Sequence, residues 1–221
     1  RVNPDINAET LDKITTGRKT DKFGITENLI PEVCEQIKKM QNVNFKGISS
    51  HIGSQIHNLK IFEEVFKKIN KISNIIESCG LSFKFLDLGG GFGVNYKEEK
   101  EFDLENFSNL IKKYYDNTKY EISFEPGRYL VAKSGILITK ILNKKTNGSK
   151  NYLITDAGMQ TFLRPSLYNA FHKIIPISKE NNGKKNYTIA GPICESSDIL
   201  AKDIEMPNQD IGNYLAICDV G

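Results

Sequence analysis

Apolar positions along this chain change their spacing once, and the change outlines two domains. Ile30, Val33, Ile37 and Met40 recur at helical intervals, with Pro31 in a first turn where proline is tolerated. Phe62, Val65, Ile69, Ile72, Ile76 and Cys79 repeat the pattern over a longer stretch, with Asn58 as N-cap and Gly80 as the stop. A third amphipathic run starts at Asp103 and carries Leu104, Phe107, Ile111 and Tyr114. Between the helices, residues 44–50, 83–88 and 120–124 are short strand-like runs, and residues 1–4 read as the end of another strand. Strands and helices alternating every ~35–40 residues are βα units of a parallel sheet.

After Arg128 the helical period stops. Residues 136–142, 152–155, 174–177, 187–189 and 214–218 are strand-like, with turn signals at Asn147-Gly148 and Asn182-Gly183. Only residues 165–172 offer a short helix. The expected fold is therefore α/β followed by β. Residues 1–130 form the second half of a (β/α)8 barrel, and 131–221 a mostly antiparallel β domain. A doubly wound open sheet has the same rhythm and remains the alternative for the first part. The strands at both ends lack closing elements, so the domains are expected to be incomplete.

Composition adds exclusions. With 221 residues, 39% hydrophobic and 26% charged, the chain is ordinary for a folded domain pair. A formal charge of +3 without a basic block argues against nucleic acid, and no apolar run is long enough for a membrane span. Cys34, Cys79, Cys194 and Cys218 show no metal-ligand or disulfide-framework spacing, which fits a reducing cytoplasmic setting and predicts no metal. Arginine occurs only at 1, 18, 128 and 164 in a lysine-rich chain. That choice marks places where a planar, two-pronged donor is needed.

Candidate chemistry gathers at strand ends. Gly89, Gly90, Gly91 and Gly93 follow the central strand, where bare backbone can either make a tight turn or bring N–H donors to a phosphate. They do not form the dinucleotide fingerprint. His51 and Ser54 follow the preceding strand; the histidine is either a structural hydrogen-bonding residue or a ring laid flat on a planar cofactor. Glu125-Pro126-Gly127-Arg128 ends the next strand. Its carboxylate either pairs with Arg128 or holds a proton on a pyridine nitrogen, which leaves Arg128 for a phosphate or carboxylate. In the segment 191–198, Cys194 beside Glu195 is either an inert thiol or a proton donor, since an ordinary thiol is mostly protonated near neutrality.

Taken together, His51-Ile-Gly-Ser-Gln, Leu88-Gly-Gly-Gly-Phe-Gly, Glu125-Pro-Gly-Arg and Pro192-Ile-Cys-Glu-Ser resemble the fold-type III pyridoxal-phosphate decarboxylases. Ile14-Thr-Thr-Gly with Lys22-Phe-Gly, Asp156-Ala-Gly-Met and Leu163-Arg-Pro-Ser-Leu-Tyr narrow the resemblance to the diaminopimelate decarboxylase family. The resemblance implies pyridoxal 5'-phosphate as cofactor, stacked on His51. Ser54, Gly89, Gly90 and Gly91 would hold its phosphate, with Glu125 on its ring nitrogen and Gly127 and Arg128 beside it. It implies that Arg128, Arg164 and Tyr168 read the distal carboxylate of meso-diaminopimelate, and that Glu195 takes its distal ammonium. Cys194 would return a proton after carbon dioxide leaves. It also implies a head-to-tail homodimer, because Cys194 and Glu195 serve the partner's site in that family. The lysine that anchors the cofactor, and a later tyrosine, are expected to lie outside residues 1–221. The chain alone is therefore expected to be inactive. Ornithine, arginine or carboxynorspermidine as substrate, and a non-catalytic paralogue, are the alternatives.

Overall fold

Helical spacing in the sequence becomes helix in the structure, a computed structural model that describes residues 1–8, 16–97, 101–177 and 183–221. Helix α1 spans Ile30–Lys39, α2 Leu59–Ser78 and α3 Leu104–Tyr115. The Asn58 side chain accepts from the Lys60 amide at 3.1 Å, as expected of a cap, and the Asp103 side chain accepts from the Asn106 amide at 3.1 Å, a cap that the sequence marked only as a helix start. Gly80 leaves α2 at φ +83°, the left-handed conformation that a C-terminal stop requires.

These helices belong to the first of two units, made of Arg1–Asn95 and Lys100–Tyr129. Its strands are β1 Val2–Asn3, β2 Ile25–Thr26, β3 Gly47–Ser49, β4 Phe85–Gly90 and β5 Glu121–Glu125. β1 pairs with β2 and β4 lies between β3 and β5, every pair parallel. Residues 44–50 give a shorter strand than expected, and β2 had no run of apolar residues to announce it. Phe62, Phe92, Phe102 and Phe107 pack edge-on and tilted under the sheet, with centroids 5.1 Å apart for Phe62–Phe107 and Phe92–Phe107. Phe66 and Ile72 of α2 are completely buried in the same core.

The glycine stretch corrects one expectation. The strand does not stop at Leu88: β4 runs through Gly89 and Gly90, and Gly90 is paired with Glu125 after a register shift. The reason is close backbone approach. A Cβ on Gly89 would collide with the Ser50 carbonyl, on Gly90 with the Glu125 carbonyl, and on Gly91 with the Gly53 carbonyl. Gly89 and Gly91 also hold φ +74° and +90°.

The second unit, Tyr96–Glu99 with Leu130–Gly221, is built on one six-stranded sheet. Its strands are β6 Ile136–Asn147, β7 Lys150–Thr155, β8 Ile174–Pro176, β9 Lys184–Ala190, β10 Ile199–Pro207 and β11 Tyr214–Cys218. Their order is β10-β9-β7-β6-β11-β8, antiparallel except for the parallel β7–β9 pair. Ile141, Leu153, Ile189 and Leu215 are fully buried at its core. The sequence did not announce β10, because two register shifts and Asp203 at φ +51° break its alternation. Short helix α4 Gly127–Val131 begins in the first unit, and α5 Arg164–Tyr168 lies in the second, starting one residue before the segment anticipated for it and ending four before its end. Asn147-Gly148 turns as expected, with Gly148 at φ +57°, whereas Ile14, Thr15 and Asn182 lie outside the described residues.

Gly90→Ala is expected to destabilise the protein by at least ~2 kcal/mol, because the new methyl must displace a backbone carbonyl. Gly127→Ala should leave the melting temperature within about a degree, since a Cβ there meets nothing within 4 Å. Equal melting temperatures for the two variants in calorimetry would refute the steric account of the glycine stretch.

Candidate functional site

In the first unit, the C-terminal ends of β3, β4 and β5 surround a hollow of about 230 Å³. His51 and Ser54 reach it from the loop after β3, Gly91 from the end of β4, and Glu125, Gly127 and Arg128 from β5 and the turn after it. Six of the sequence-predicted positions thus come together. Gly89 and Gly90 are one step back, and their amides have neighbours. The Gly89 N–H donates to the Asp87 carboxylate at 2.8 Å, and the Gly90 N–H donates to Nδ1 of His51 at 3.2 Å.

That last bond fixes the histidine chemically. Nδ1 accepts, so the neutral ring carries its hydrogen on Nε2. Burial pushes the imidazole below its ordinary pKa of 6.5 and the Arg1 guanidinium adds to this, with Glu125 and Asp87 opposing. The backbone carbonyl of His51 is tied down as well, accepting from Arg1 at 2.9 Å and from the Thr16 hydroxyl at 2.9 Å. The loop that carries the ring is held by Arg1, one of the four scarce arginines, and by Thr16 of the Ile14-Thr-Thr-Gly run, although the sequence did not name His51 as their partner.

The second unit holds the remaining candidates. Arg164 and Tyr168 open and close α5. Nη1 of Arg164 donates to the Tyr96 hydroxyl at 3.2 Å and to Nε2 of His172 at 2.8 Å, and its guanidinium lies 5.3 Å from the Tyr96 ring centroid. Sequence reasoning missed both partners. Tyr96 sits in a polar stretch, and His172 is a single histidine without a motif, so neither carried a signal of its own.

Cys194 and Glu195 stand exposed on the loop between β9 and β10. The Glu195 carboxylate turns back on that loop, accepting from the Ser197 amide and hydroxyl at 3.1 Å each and from the Ser196 hydroxyl at 3.3 Å. The Ser197 amide is the main reason that the carboxyl lies below the ordinary glutamate range. The loop itself is anchored by Asp198, only 2% exposed, whose carboxylate accepts from the Met159 amide at 2.6 Å and the Ile193 amide at 2.9 Å. Gly158 and Gly191 are bare because a Cβ on either would strike that carboxylate. Pro165 and Ser166 of α5 and Ser196 and Ser197 of the loop border one hollow of about 370 Å³. In the Asp156-Ala-Gly-Met run, Asp156 joins β6 to β7, accepting from the Thr139 hydroxyl at 2.6 Å and the Lys140 amide at 2.9 Å. Among the described residues no cluster of three or more His, Cys, Asp or Glu side chains could hold a metal ion, and no helix is long and apolar enough to cross a membrane.

Residues 1–132 match the family model described as "Pyridoxal-dependent decarboxylase, pyridoxal binding domain". Diaminopimelate decarboxylase of Aquifex aeolicus is 40% identical over 100% of this chain, which covers 53% of that protein. The Haemophilus influenzae enzyme of the same name is 38% identical, again over 100% of this chain and 54% of its own length. The crystal structure of the Helicobacter pylori diaminopimelate decarboxylase complexed with L-lysine superimposes with a TM-score of 0.92 at 39% identity, covering 100% of this chain and 55% of that one. The chain therefore spans about half the length of the curated relatives it matches.

The His51 environment makes stability pH-dependent in a defined direction. The unfolded chain takes up a proton at the ordinary pKa of 6.5 while the folded ring resists it, so this stabilisation is present above pH 6.5 and is lost as pH falls towards the lower folded pKa. Denaturant titrations should show that loss with a slope of at most ~1.4 kcal/mol per pH unit. His51→Asn should flatten it; an unchanged slope in that variant would place the effect elsewhere.

Proposed function

This chain belongs to the pyridoxal-dependent decarboxylases, and from that membership we propose that it is the part of a diaminopimelate decarboxylase that binds the cofactor and reads the substrate. The reaction is conversion of meso-2,6-diaminopimelate to L-lysine and carbon dioxide. One observation carries the reading: a single hollow collects an imidazole, a hydroxyl, a carboxylate and a guanidinium from the ends of three adjacent parallel strands. That donor set fits a planar pyridine ring bearing a phosphate. The run of parallel strands with intervening helices supports the second half of a (β/α)8 barrel for the first unit, whose functional face is formed by C-terminal strand ends.

His51 offers a ring for stacking, held in one tautomer for as long as the Gly90 amide donates to it. Ser54 and the glycine stretch serve the phosphate. Gly91 borders the hollow already, whereas Gly89 and Gly90 must exchange their bonds to Asp87 and His51 to take part. Glu125 holds the proton on the ring nitrogen, and each unit by which it raises that pKa favours the charged ring by ~1.4 kcal/mol. Gly127 is bare without any demand from packing, which supports close approach of a ligand. Pyridoxal phosphate bound there supplies the electron sink for the pair released as the carboxylate departs.

Arg128, Arg164 and Tyr168 meet the distal carboxylate, and Glu195 exchanges its serine partners for the distal ammonium. Cys194, exposed and reduced, returns a proton to the carbon that has lost its carboxylate. The assembly that this implies is a head-to-tail homodimer in which Cys194 and Glu195 complete the partner's site. A substrate without a distal carboxylate, such as ornithine or arginine, leaves Arg164 without a charged partner.

A complete enzyme containing this chain is expected to release carbon dioxide from meso-diaminopimelate and to leave ornithine and arginine essentially untouched. Comparable turnover of the latter two would sink the substrate assignment. Cys194→Ala should slow turnover by about 10²-fold or more and divert part of the cofactor to its amine form, with substrate affinity little changed. A dimer of that variant with wild-type turnover and no amine-form cofactor would remove Cys194 from proton transfer.

A further inference from the structure

We infer that His172 is the positioning residue of Arg164, fixing the guanidinium so that one chosen pole is left for a carboxylate. The inference rests on the reading of Arg164 as the group that meets the distal carboxylate, and it adds what sets that group's aim. Nδ1 of His172 lies 3.0 Å from the backbone carbonyl of Cys218. A carbonyl can only accept, so Nδ1 carries the hydrogen and Nε2 of the neutral ring presents a lone pair. Nε2 stands 2.8 Å from Nη1 of Arg164, a donor with nothing to accept, which completes a chain of defined direction from arginine through imidazole to backbone.

The ring is held as firmly as its tautomer. His172 is 3% exposed and packs edge-on against Phe162, with centroids 4.6 Å apart, and against Tyr96 at 5.1 Å. The Tyr96 hydroxyl, 3.2 Å from the same Nη1, takes the second hydrogen. Both hydrogens of Nη1 are thereby committed. Nε of Arg164 is buried and has no hydrogen-bond partner among the described residues. Nη2 is left as the donor pole for an incoming carboxylate. Arginine has a long, rotamer-rich side chain, and a five-residue helix such as α5 does little to restrain it. Fixing Nη1 beforehand removes an ordering cost from binding and prevents the guanidinium from turning its pole away.

A purely structural His172 would tie α5 to β11 through Cys218 and do nothing for ligand choice. Two substitutions separate these roles in the complete holoenzyme. His172→Asn keeps a donor near the Cys218 carbonyl and cannot reach Arg164. His172→Gln places an acceptor near the position of Nε2. Binding of L-lysine, which carries the carboxylate, and of 1,5-diaminopentane, which does not, is measured by calorimetry together with KM and kcat. His172→Asn should weaken L-lysine about tenfold or more, raise KM for diaminopimelate in parallel, and leave diaminopentane affinity and saturated kcat within about twofold. His172→Gln should recover most of the loss, and His172→Asn should add nothing to Arg164→Leu. If Arg164→Leu weakens L-lysine selectively while His172→Asn does not, or weakens both ligands equally, the positioning role is overturned and the reading of Arg164 stands. If Arg164→Leu leaves the two affinities in their original ratio, both fall.

Discussion

The end of β4 is packed so tightly that carbonyl oxygens of neighbouring segments occupy the places where side chains would begin. The Ser50, Glu125 and Gly53 carbonyls each exclude a Cβ from Gly89, Gly90 and Gly91 in turn. Because those glycines are bare, β4 continues two residues past its apolar run, and the ends of β3 and β5 close in on it. The candidate cofactor hollow depends on that approach: His51 and Ser54 arrive from one side, Glu125 and Arg128 from the other. A glycine run at a strand end can serve a ligand, but here backbone packing alone is sufficient reason for three of the glycines. Gly127, in contrast, touches nothing that would exclude a side chain.

A different constraint governs the second unit. A buried carboxylate is costly unless it is fully hydrogen-bonded, and Asp198 meets the amides of Met159 and Ile193 to satisfy that requirement. The effect is to pin the segment that displays Cys194 and Glu195 to the turn after β7. Gly158 and Gly191 are bare for the sake of this carboxylate, so two glycines, an aspartate and two amides form one device for presenting an exposed thiol. Arg164 is prepared in a comparable way, through neutral partners, and its full charge stays available to a ligand.

Both units therefore place the candidate side chains on loops and element ends, with His51 and Glu195 each accepting from a backbone amide. Glu195 illustrates the arrangement. Its carboxylate accepts from the Ser196 hydroxyl and from the amide and hydroxyl of Ser197, on an exposed loop where losing a partner leaves no buried charge behind. His51 is similar in that one nitrogen is engaged by the Gly90 amide while the residue borders the hollow.

What the sequence determined by itself was periodic or covalent in origin. Apolar spacing gave α1, α2 and α3 to within a residue or two at most ends, because one buried face per helix leaves little freedom. The cap at Asn58 followed from side-chain chemistry, and Asp103 was marked as the start of α3. The motifs at 51–55, 88–93, 125–128 and 192–196 pointed to the family that the comparisons show, since a family's motifs keep their residue types and order. Tertiary structure alone decided the rest. β10 is bulged and does not alternate, so no periodic pattern could reveal it. The extension of β4 through Gly89 and Gly90 depends on carbonyls that come from residues 50, 53 and 125. Tyr96, His172 and Asp198 acquire their roles from partners 68, 8 and 39 positions away, and a contact between distant residues leaves no mark on either one's local sequence.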